Sequence, residues 1–400
     1  MEKESVPYNW GGVSGAESIT SGQGGGRTAK RAVFTILMFA GVLGFLEAAG
    51  AVFYYLVIPR QRRVVVETAL GIRDPELNSV ARYRPHPYLN YVGNPDHLTA
   101  DGELLHHRIG IRATEVDLDA KPEGVFRVVA VGGSTTFGLY VPETRKVWPG
   151  LVGMALEETF GSRVETVNAG VPNYTTFEMV VQAAMWLPEM EPDLVLVHTG
   201  LNDAFTVGFP DEGGPDNTNF RHSWSYRPLP GVVRTAMRAS RLVRVLGAGW
   251  LSSSGYQIGD MTPAMQYPIP PDDEVRRNVE QATGEYFRRN LETLIVLIRH
   301  AGAEPVLVNM PINPGMKAEG VYYEAVTEAV KRNNRILDEV GERHGVTVVD
   351  LYSRMMTPEV FVDAAHVDTA GMMQKAQIVF DTIGPVVQEL LGGPARPAVN

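Results

Sequence analysis

The sequence predicts an α/β protein built on a five-stranded parallel sheet and preceded by a single membrane-spanning helix. Two observations support this prediction. From residue 126 onward, short apolar runs rich in β-branched residues alternate with longer segments of helical spacing. Repeated strand–helix units of this kind imply a parallel sheet with helices on both faces. In addition, one long apolar segment with a single charged residue lies near the N-terminus.

The composition is that of a chain able to bury a core, and it excludes several classes of function. Hydrophobic residues make up 44% and charged residues 20% of the 400 residues. The net charge of −10, without any run rich in Lys or Arg, argues against a general nucleic-acid-binding protein. The chain contains no cysteine, which excludes disulfides, thiolate metal sites and a cysteine nucleophile.

The N-terminal region divides into a polar tail and an apolar segment. Residues 1–31 are rich in Gly and Ser and poor in large apolar groups, so we expect a disordered tail. Residues 32–58 are apolar almost throughout, with Glu47 as the single charged residue. At about 1.5 Å per residue, this segment is longer than the roughly 30 Å of a bilayer core. We therefore expect an uncleaved, single-pass membrane anchor. The alternatives are a buried helix or a cleaved signal peptide, whose apolar region is normally shorter.

The charges around the apolar segment are nearly balanced between its two ends. The basic flanking residues are Arg27, Lys30 and Arg31 before it, and Arg60, Arg62 and Arg63 after it. From the positive-inside rule we expect the N-terminus in the cytoplasm and the following domain outside it. Glu47 lies past the middle of the segment. A carboxylate there is either paired and functional, or a protonated or snorkelling residue without a role.

The remainder of the chain is predicted to form a lead-in segment and one domain. Residues 59–123 are polar with scattered prolines, and we expect them to pack on the domain that follows. Residues 124–393 form the α/β domain, with an insertion at about residues 204–272 that is rich in Pro, Gly, Asp, Ser and Trp. The insertion contains one helical patch, at residues 232–246.

Apolar periodicity predicts five strands and five helices in this domain, apart from the insertion. The strands are expected at residues 126–131, 164–168, 194–199, 305–310 and 346–351. The helices are expected at residues 148–160, 175–190, 273–301, 321–344 and 369–391. Thr175 or Thr176, with Glu178 near the third helical position, is the expected N-cap of the second helix.

Residues suited to catalysis follow four of the five strands. In open α/β sheets, ligands bind beyond the carboxyl ends of the strands. Ser134 follows the first strand, Gly170 the second and Asn202 the third. Asp363 and His366 follow the fifth strand after a short connection. We expect these residues to meet at one edge of the sheet.

The residue types at this edge suit nucleophilic catalysis by serine. The hydroxyl of Ser134 needs a base, and His366 can accept its proton because imidazole titrates near neutrality. Asp363 can bind the other ring nitrogen and fix the tautomer. The backbone N–H groups of Ser134 and Gly170 and the side-chain amide of Asn202 are the expected donors to the oxyanion of the tetrahedral intermediate. Gly170 lacks a Cβ, so a substrate oxygen can approach its backbone.

These four blocks resemble the SGNH (GDSL-like) hydrolase family, named for its Ser, Gly, Asn and His in the same order. The resemblance covers about residues 124–393. It implies a three-layer α/β/α, flavodoxin-like fold and hydrolysis of ester or acyl groups without a metal. The implied roles agree with those above: nucleophile and triad at Ser134, His366 and Asp363, and oxyanion donors at Ser134, Gly170 and Asn202.

One position departs from the family pattern. The family's Gly-Asp-Ser-Leu is Gly132-Gly133-Ser134-Thr135 in this chain. Because the family's Asp is not a triad member, we expect the chemistry to be retained. The local structure and the fit of the substrate can differ.

Other polar residues have simpler interpretations. His106 and His107 are adjacent, so on a strand they point to opposite faces and do not form a metal pair. His198 lies inside a predicted strand and is interpreted as a hydrogen-bonded core residue, and Asp203 as a cap of the next element. Residues 22–30 lack the Gly-Lys-Thr ending of a phosphate-binding loop, and no strand precedes them. We expect neither a metal nor a cofactor.

Three functions are compatible with these features. The first is a serine esterase that cleaves an ester of a lipid, glycan or small molecule near a membrane. The second is an O-acyltransferase, in which a sugar hydroxyl replaces water. In transferase groups the Asp/His pair often precedes the serine, whereas here it follows, which favours hydrolysis. The third is a non-catalytic, membrane-anchored binding module. The acyl group and the alcohol stay open, because the sequence of a loop does not identify the ligand that it binds. The oligomeric state also stays open.

Overall fold

The structure is a computed structural model of the chain. The structure describes residues 25–60, 63, 66–67, 70, 82–99, 102–112, 116–118, 120–161, 163–221, 231–253 and 269–392. Most of the expected tail, residues 1–24, therefore lies outside the described residues. The expected boundary at residue 31 is wrong, because helix α1 (Gly25–Leu56) already includes residues 25–31.

Seven strands occur among the described residues. They are β1 (Tyr83–His86), β2 (Asn90–Gly93), β3 (Phe126–Gly132), β4 (Val164–Gly170), β5 (Leu194–His198), β6 (Glu304–Val308) and β7 (Thr347–Val349). Strands β1 and β2 form an antiparallel hairpin. The other five form a parallel sheet in the order β4-β3-β5-β6-β7, which confirms the predicted sheet.

Helices pack on both faces of this sheet. The α-helices of the described part of the chain, on the sheet and elsewhere, are α1, α2 (Ser134–Phe137), α3 (Trp148–Phe160), α4 (Thr176–Met190), α5 (Leu201–Ala204), α6 (Thr218–Arg221), α7 (Gly231–Ala239), α8 (Arg241–Ser253), α9 (Asp272–Gln281), α10 (Glu285–His300), α11 (Val321–His344) and α12 (Thr369–Gly392).

Alternating side chains of the strands divide the core into two layers. On one face Val129 and Val195 pack with residues of α4, α10 and α11, including Met179 and Leu291. On the other face the intervening strand residues pack with residues of α3 and α12, such as Trp148 and Val379. All five strands lie between these layers, because their apolar residues must be covered on both sides. The fold is therefore the expected three-layer α/β/α arrangement.

Two predicted helices are each divided in the structure. The segment expected as one helix over residues 273–301 forms α9 and α10, separated by residues 282–284. Ala282 ends α9 with an extended backbone, and Gly284, with φ +74°, precedes the first residue of α10. The helical patch expected at residues 232–246 is also two helices, α7 and α8, which meet at Ser240.

The start of α4 is fixed by a capping box, as the sequence predicts. The hydroxyl of Thr175 accepts a hydrogen bond from the N–H of Phe177 at 3.3 Å. In return, the carboxylate of Glu178 accepts one from the N–H of Thr175 at 2.9 Å. Both groups are buried, and the pair satisfies N–H groups that have no partner within the helix.

Residues from the lead-in segment contact the loop that follows β4. The hydroxyl of Tyr91 donates to the carbonyl oxygen of Pro172 at 2.6 Å. The hydroxyl of Tyr174 donates back to the carbonyl oxygen of Tyr91, also at 2.6 Å. All of these groups are buried. The β1–β2 hairpin is thus joined to a loop at the carboxyl edge of the sheet.

The insertion has two parts with different contacts. In its first part, Phe209 and Phe220 are buried against Tyr322 of α11. In its second part, α7 and α8 pack on each other, and α8 packs along α1. One segment of the insertion therefore belongs to the α/β domain, and the other accompanies the N-terminal helix.

Candidate active site

Ser134 occupies the first position of the short helix α2, directly after β3. The preceding Gly133 has an extended backbone. This strand-to-helix turn places the serine at the carboxyl edge of the sheet. Only 5% of the Ser134 surface is exposed. The hydroxyl is therefore held in a nearly dry environment, where electrostatic interactions are stronger than in water.

The predicted triad residues lie within hydrogen-bonding distance of one another. His366 Nε2 is 2.7 Å from the hydroxyl oxygen of Ser134. His366 Nδ1 is 2.8 Å and 3.0 Å from the two carboxylate oxygens of Asp363. Because Asp363 accepts the Nδ1 proton, Nε2 carries the lone pair that can accept the serine proton. The structure therefore brings the Asp363/His366 pair to Ser134, which lies more than two hundred positions earlier in the sequence.

Asp363 is held in its ionised form by its surroundings. Partial burial disfavours its charge. The hydrogen bond and positive charge of His366, together with the N–H groups of Ala365 and His366, outweigh that effect and lower the pKa of the Asp363 carboxyl. The two N–H groups lie 3.0 Å and 2.9 Å from one carboxylate oxygen. An ionised Asp363 favours the imidazolium that forms when His366 takes a proton.

Asn202 lies beside the nucleophile, in helix α5 after β5. Its side-chain N–H donates to the carbonyl oxygen of Tyr174 at 2.8 Å. Asn202 and Ser134 line the same small cavity. Buried apolar side chains, including Met179 and Met310, form part of its wall. The side chains of Asn202 and Ser134 thus lie in the wall of one cavity.

Gly170 does not line this cavity. Its N–H donates to the side-chain oxygen of Asn168 at 3.0 Å. A Cβ at Gly170 would lie 2.5 Å from the backbone nitrogen of Phe137. The glycine therefore allows the end of β4 to approach α2, and its amide is already engaged. This geometry does not support the expected role of Gly170 as an oxyanion donor.

Comparison with known protein families identifies the domain. A model of the GDSL-like lipase/acylhydrolase family matches residues 130–372, which is more than half of the chain. This chain belongs to the GDSL-like lipase/acylhydrolase family. It is therefore an SGNH-type hydrolase, as the order of its sequence blocks indicates. No curated protein matches the chain.

Several solved structures of lipolytic proteins and esterases resemble this chain at low sequence identity. A lipase/acylhydrolase from Enterococcus faecalis is 19% identical, with a TM-score of 0.39, over 65% of this chain and 96% of its own. A catalytic mutant of an acetylxylan esterase from Geobacillus stearothermophilus is 13% identical, with a TM-score of 0.38, over 65% and 94%. A lipolytic protein of the G-D-S-L family from Veillonella parvula is 13% identical, with a TM-score of 0.38, over 65% and 98%.

Gly133, where this chain departs from the Gly-Asp-Ser-Leu pattern, lies against Asn202. A Cβ added at Gly133 would be 2.5 Å from the side-chain nitrogen of Asn202. Any larger residue would push that amide away from its present position. The glycine thus permits the contact between Asn202 and Tyr174 in this member of the GDSL-like family.

Arg112, which sequence reasoning missed, holds the loop that follows the nucleophile helix. Its guanidinium donates to the carbonyl oxygens of Phe137 (2.6 Å), Gly138 (3.1 Å), Val141 (2.8 Å) and Pro142 (2.5 Å) and to the hydroxyl of Thr144 (3.1 Å). It also lies over the Phe137 ring, 5.0 Å from its centroid. Only 1% of Arg112 is exposed. No local pattern marks this arginine, because all its partners are 25 to 32 residues away.

Tyr140, also missed, lies on that loop beside the triad. Its hydroxyl is 3.3 Å from a carboxylate oxygen of Asp363. Its ring meets the His366 ring edge-on, at 5.4 Å between centroids. Burial and the neighbouring Asp363 raise the pKa of the tyrosine. The loop held by Arg112 therefore supplies a side chain that contacts two triad members.

His198 is a hydrogen-bonded core residue, as its position in β5 suggests, and its partner is a buried lysine. His198 Nδ1 is 3.2 Å from the carbonyl oxygen of Val308. Its Nε2 is 3.2 Å from Nζ of Lys375 in α12. Burial lowers the pKa of Lys375 to about 7. Burial and the lysine charge also lower the pKa of His198. This pair lies beneath the sheet edge that carries Ser134.

Asp203, next to Asn202, caps α4 in addition to the capping box. Its carboxylate accepts hydrogen bonds from the N–H and hydroxyl of Thr176 and from the hydroxyl of Thr199. Burial raises the pKa of Asp203 to about 6, although the Thr176 hydrogen bonds oppose the shift. The side chain thus joins the loop carrying Asn202 to the start of α4.

His106 is a buried residue with a backbone hydrogen-bond partner. Its Nδ1 lies 3.1 Å from the carbonyl oxygen of Asn94. Burial lowers its pKa to about 3. Within the ranges that the structure describes, no group of three or more His, Asp or Glu side chains is placed to hold a metal ion.

Proposed function

We propose that this GDSL-type hydrolase is an esterase that uses Ser134 as nucleophile, His366 as general base and acid, and Asp363 to orient the imidazole. The observation that supports this most is the chain of contacts from Ser134 through His366 to Asp363, at 2.7 Å and 2.8 Å. These distances suit proton transfer and tautomer control, the two functions a serine nucleophile needs from its partners.

The reaction follows from these positions. The hydroxyl oxygen of Ser134 attacks the ester carbonyl carbon while His366 Nε2 takes the hydroxyl proton. The tetrahedral intermediate collapses, the C–O bond to the alcohol breaks, and His366 returns the proton to the departing alkoxide. A water molecule then gives a proton to His366 and attacks the acyl-enzyme. Release of the carboxylic acid restores Ser134 with its proton.

We further propose that the oxyanion is stabilised by the backbone N–H of Ser134 and the side-chain amide of Asn202. Both residues line the cavity beside the hydroxyl. The third donor expected from the sequence, Gly170, is engaged by Asn168. Loss of one such donor typically lowers turnover by about 10²–10³-fold. Asn202→Ala should accordingly lower kcat more than it changes KM; the reverse result would assign Asn202 to substrate binding.

Fluorophosphonate labelling tests the nucleophile directly. The full chain in detergent should react with the probe, and Ser134→Ala should not. His366→Ala should abolish hydrolysis of p-nitrophenyl acetate without a loss of folded structure by circular dichroism. Equal labelling of the wild type and Ser134→Ala would eliminate this serine as nucleophile. Absence of labelling in both would favour the binding-module alternative. Product analysis with a sugar acceptor separates hydrolysis from acyl transfer.

We propose that α1 anchors the enzyme in a membrane and that the hydrolase domain lies outside the cytoplasm. The segment Ala29–Leu56 is long and apolar enough to cross a bilayer, and most of its surface is exposed in the structure. An anchored enzyme would meet esters of lipids, glycans or small molecules near the membrane surface. Protease added to intact cells should degrade the hydrolase domain. Protection of the domain until the cells are broken would reverse the orientation.

A further inference from the structure

Glu47, the single acidic residue of the apolar segment, caps a helix of the insertion. Its carboxylate accepts hydrogen bonds from the hydroxyl of Ser240 at 2.7 Å, from the N–H of Arg241 and from the N–H of Leu242 at 3.4 Å. Helix α8 begins at Arg241. The carboxylate therefore satisfies N–H groups without helical partners and faces the positive end of the helix dipole.

Helices α1 and α8 approach each other closely one turn further along. A Cβ added at Gly50 would lie 2.8 Å from the Cα atom of Leu242. Gly50 is buried, whereas most of α1 is exposed. Close backbone approach at a small residue is typical of helix pairs within membranes, where van der Waals packing replaces the hydrophobic effect.

A buried polar network joins the same two helices near the end of α1. The hydroxyl of Tyr54 donates to the carboxylate of Glu67 at 2.7 Å. The guanidinium of Arg244, in α8, donates to the same oxygen at 3.1 Å and lies over the Tyr54 ring at 5.4 Å. It also donates to the carbonyl oxygen of Met237, in α7, at 3.0 Å. Because the two charges are opposite, each offsets part of the cost of burying the other.

Helices α7 and α8, called the α7–α8 hairpin below, contact one face of the last part of α1. The contacts involve Glu47, Gly50 and Tyr54, and the partly buried Ile58 follows just beyond the end of the helix. At about 1.5 Å per residue, Glu47 to Tyr54 cover roughly 10 Å of the helix. A bilayer core of roughly 30 Å needs about 20 residues, so the hairpin lies alongside the end of any span formed by this segment.

The outer surface of the hairpin is both apolar and basic. Val232 in α7 is 84% exposed and Leu246 in α8 is 68% exposed. Residues 231–253 contain four arginines and no acidic residue. Three of these arginines, Arg234, Arg238 and Arg241, are exposed, and Arg238 also donates to the carbonyl oxygen of Leu70. Helices that lie in a membrane interface combine apolar side chains with arginines that reach lipid phosphates.

We propose that the α7–α8 hairpin is a membrane-interface element that lies in the headgroup layer of an anionic bilayer. Val232 and Leu246 enter the acyl boundary, and Arg234 and Arg241 contact lipid phosphates. The proposal rests on the anchor proposed above. The hairpin packs along α1, whose apolar side chains are largely exposed, and its positive charge is complementary to anionic lipids. Glu47 then has a specific role: it holds the hairpin at the correct depth on the anchor.

Site-specific fluorescence tests this placement, because the chain has no cysteine of its own. Val232→Cys and Leu246→Cys are labelled with an environment-sensitive fluorophore in the full chain. The labelled proteins are reconstituted into phosphatidylcholine–phosphatidylglycerol vesicles with brominated acyl chains. Val296→Cys, on the exposed surface of α10 in the hydrolase domain, is the matched water-exposed control. Phe39→Cys, in the middle of α1, reports on the anchor itself.

We expect blue-shifted emission and quenching by brominated lipid at positions 232, 246 and 39, and neither at 296. Quenching at 39 but water-like emission at 232 and 246 would overturn the hairpin proposal and leave the anchor intact. Blue-shifted emission without lipid quenching would also overturn it, since the surface would then be covered by protein. Absence of quenching at 39 would eliminate the anchor and, with it, the interface element.

A change at Glu47 tests the link between anchor and hairpin. In Glu47→Ala, quenching of the label at 246 should fall, while quenching at 39 stays as in the parent. Hydrolysis of p-nitrophenyl acetate should also stay unchanged, because Glu47 lies outside the proposed catalytic residues. Unaltered quenching at 246 would contradict the assigned role of Glu47.

Discussion

Arg112→Lys is expected to lower both the stability of the fold and the catalytic rate. The substitution removes the guanidinium group that holds the loop after the nucleophile. The native side chain donates to four carbonyl oxygens and one hydroxyl. A lysine ammonium has three donors against the five of a guanidinium, so at least two acceptors lose their partner. Each buried acceptor left without a partner costs about 1–3 kcal/mol.

Rehydration of the partly buried acceptors reduces this cost to about 2–4 kcal/mol. For a domain of this size, such a loss corresponds to a decrease in Tm of about 5–15 °C. The catalytic effect comes from displacement of α2 and Tyr140, since both depend on the loop. We expect kcat to fall about ten- to hundredfold, with KM nearly unchanged.

The assay compares thermal unfolding and p-nitrophenyl acetate kinetics of the full chain, measured well below the Tm of the variant. Arg84→Lys is the matched control, because Arg84 lies in the same lead-in segment and donates to the carbonyl oxygen of Arg108 from an exposed position. Its Tm and kcat should stay close to the parent. A lower Tm with unchanged kcat in Arg112→Lys would limit Arg112 to a structural role. Unchanged values for both would refute the reasoning.

Three further predictions follow from the site. Gly133→Ala should lower kcat about tenfold or more, since the new Cβ displaces the Asn202 amide; an unchanged kcat would contradict the proposed oxyanion contact. Tyr140→Phe should lower kcat by less than about tenfold, because it removes one long hydrogen bond to Asp363; steady-state kinetics check this. The pKa of Lys375 is about 7 in the folded protein against 10.5 for an ordinary lysine, so the unfolded chain binds more protons in that interval and stability should rise as pH increases through it. Lys375→Met should flatten this dependence of Tm on pH; an unchanged slope would contradict it.

Elements with strong periodicity could be predicted from the sequence almost to the residue. Helix α3 has the predicted bounds of residues 148–160, and α11 those of residues 321–344. The break between α9 and α10 was missed, because the apolar spacing continues across it. Gly284, directly before α10, is a local signal of the break, but α9 already ends at the extended Ala282. Periodicity therefore locates elements well, but it does not show where an extended residue interrupts them.

The candidate triad was predictable because parallel strands all end at the same edge of the sheet. That rule places a residue near the site, but it does not say where its N–H points. Gly170 shows the limit: it stands at the end of β4, as expected, yet the side chain of Asn168, two residues earlier, accepts its hydrogen bond. Arg112 shows a different limit, since its role exists only through contacts formed by the folded chain.

The lead-in segment connects the anchor and the site physically. The match to the GDSL-like family begins at residue 130, yet Arg112 and Tyr91 lie before it. Helix α2 has only four residues, too few to be stable alone, so the position of Ser134 depends on the surrounding contacts. On the far side of α2 those contacts come from Arg112, and at the loop after β4 they come from Tyr91. The segment that follows the anchor therefore supports the geometry of the nucleophile, and the hydrolase domain cut at residue 124 would lack this support.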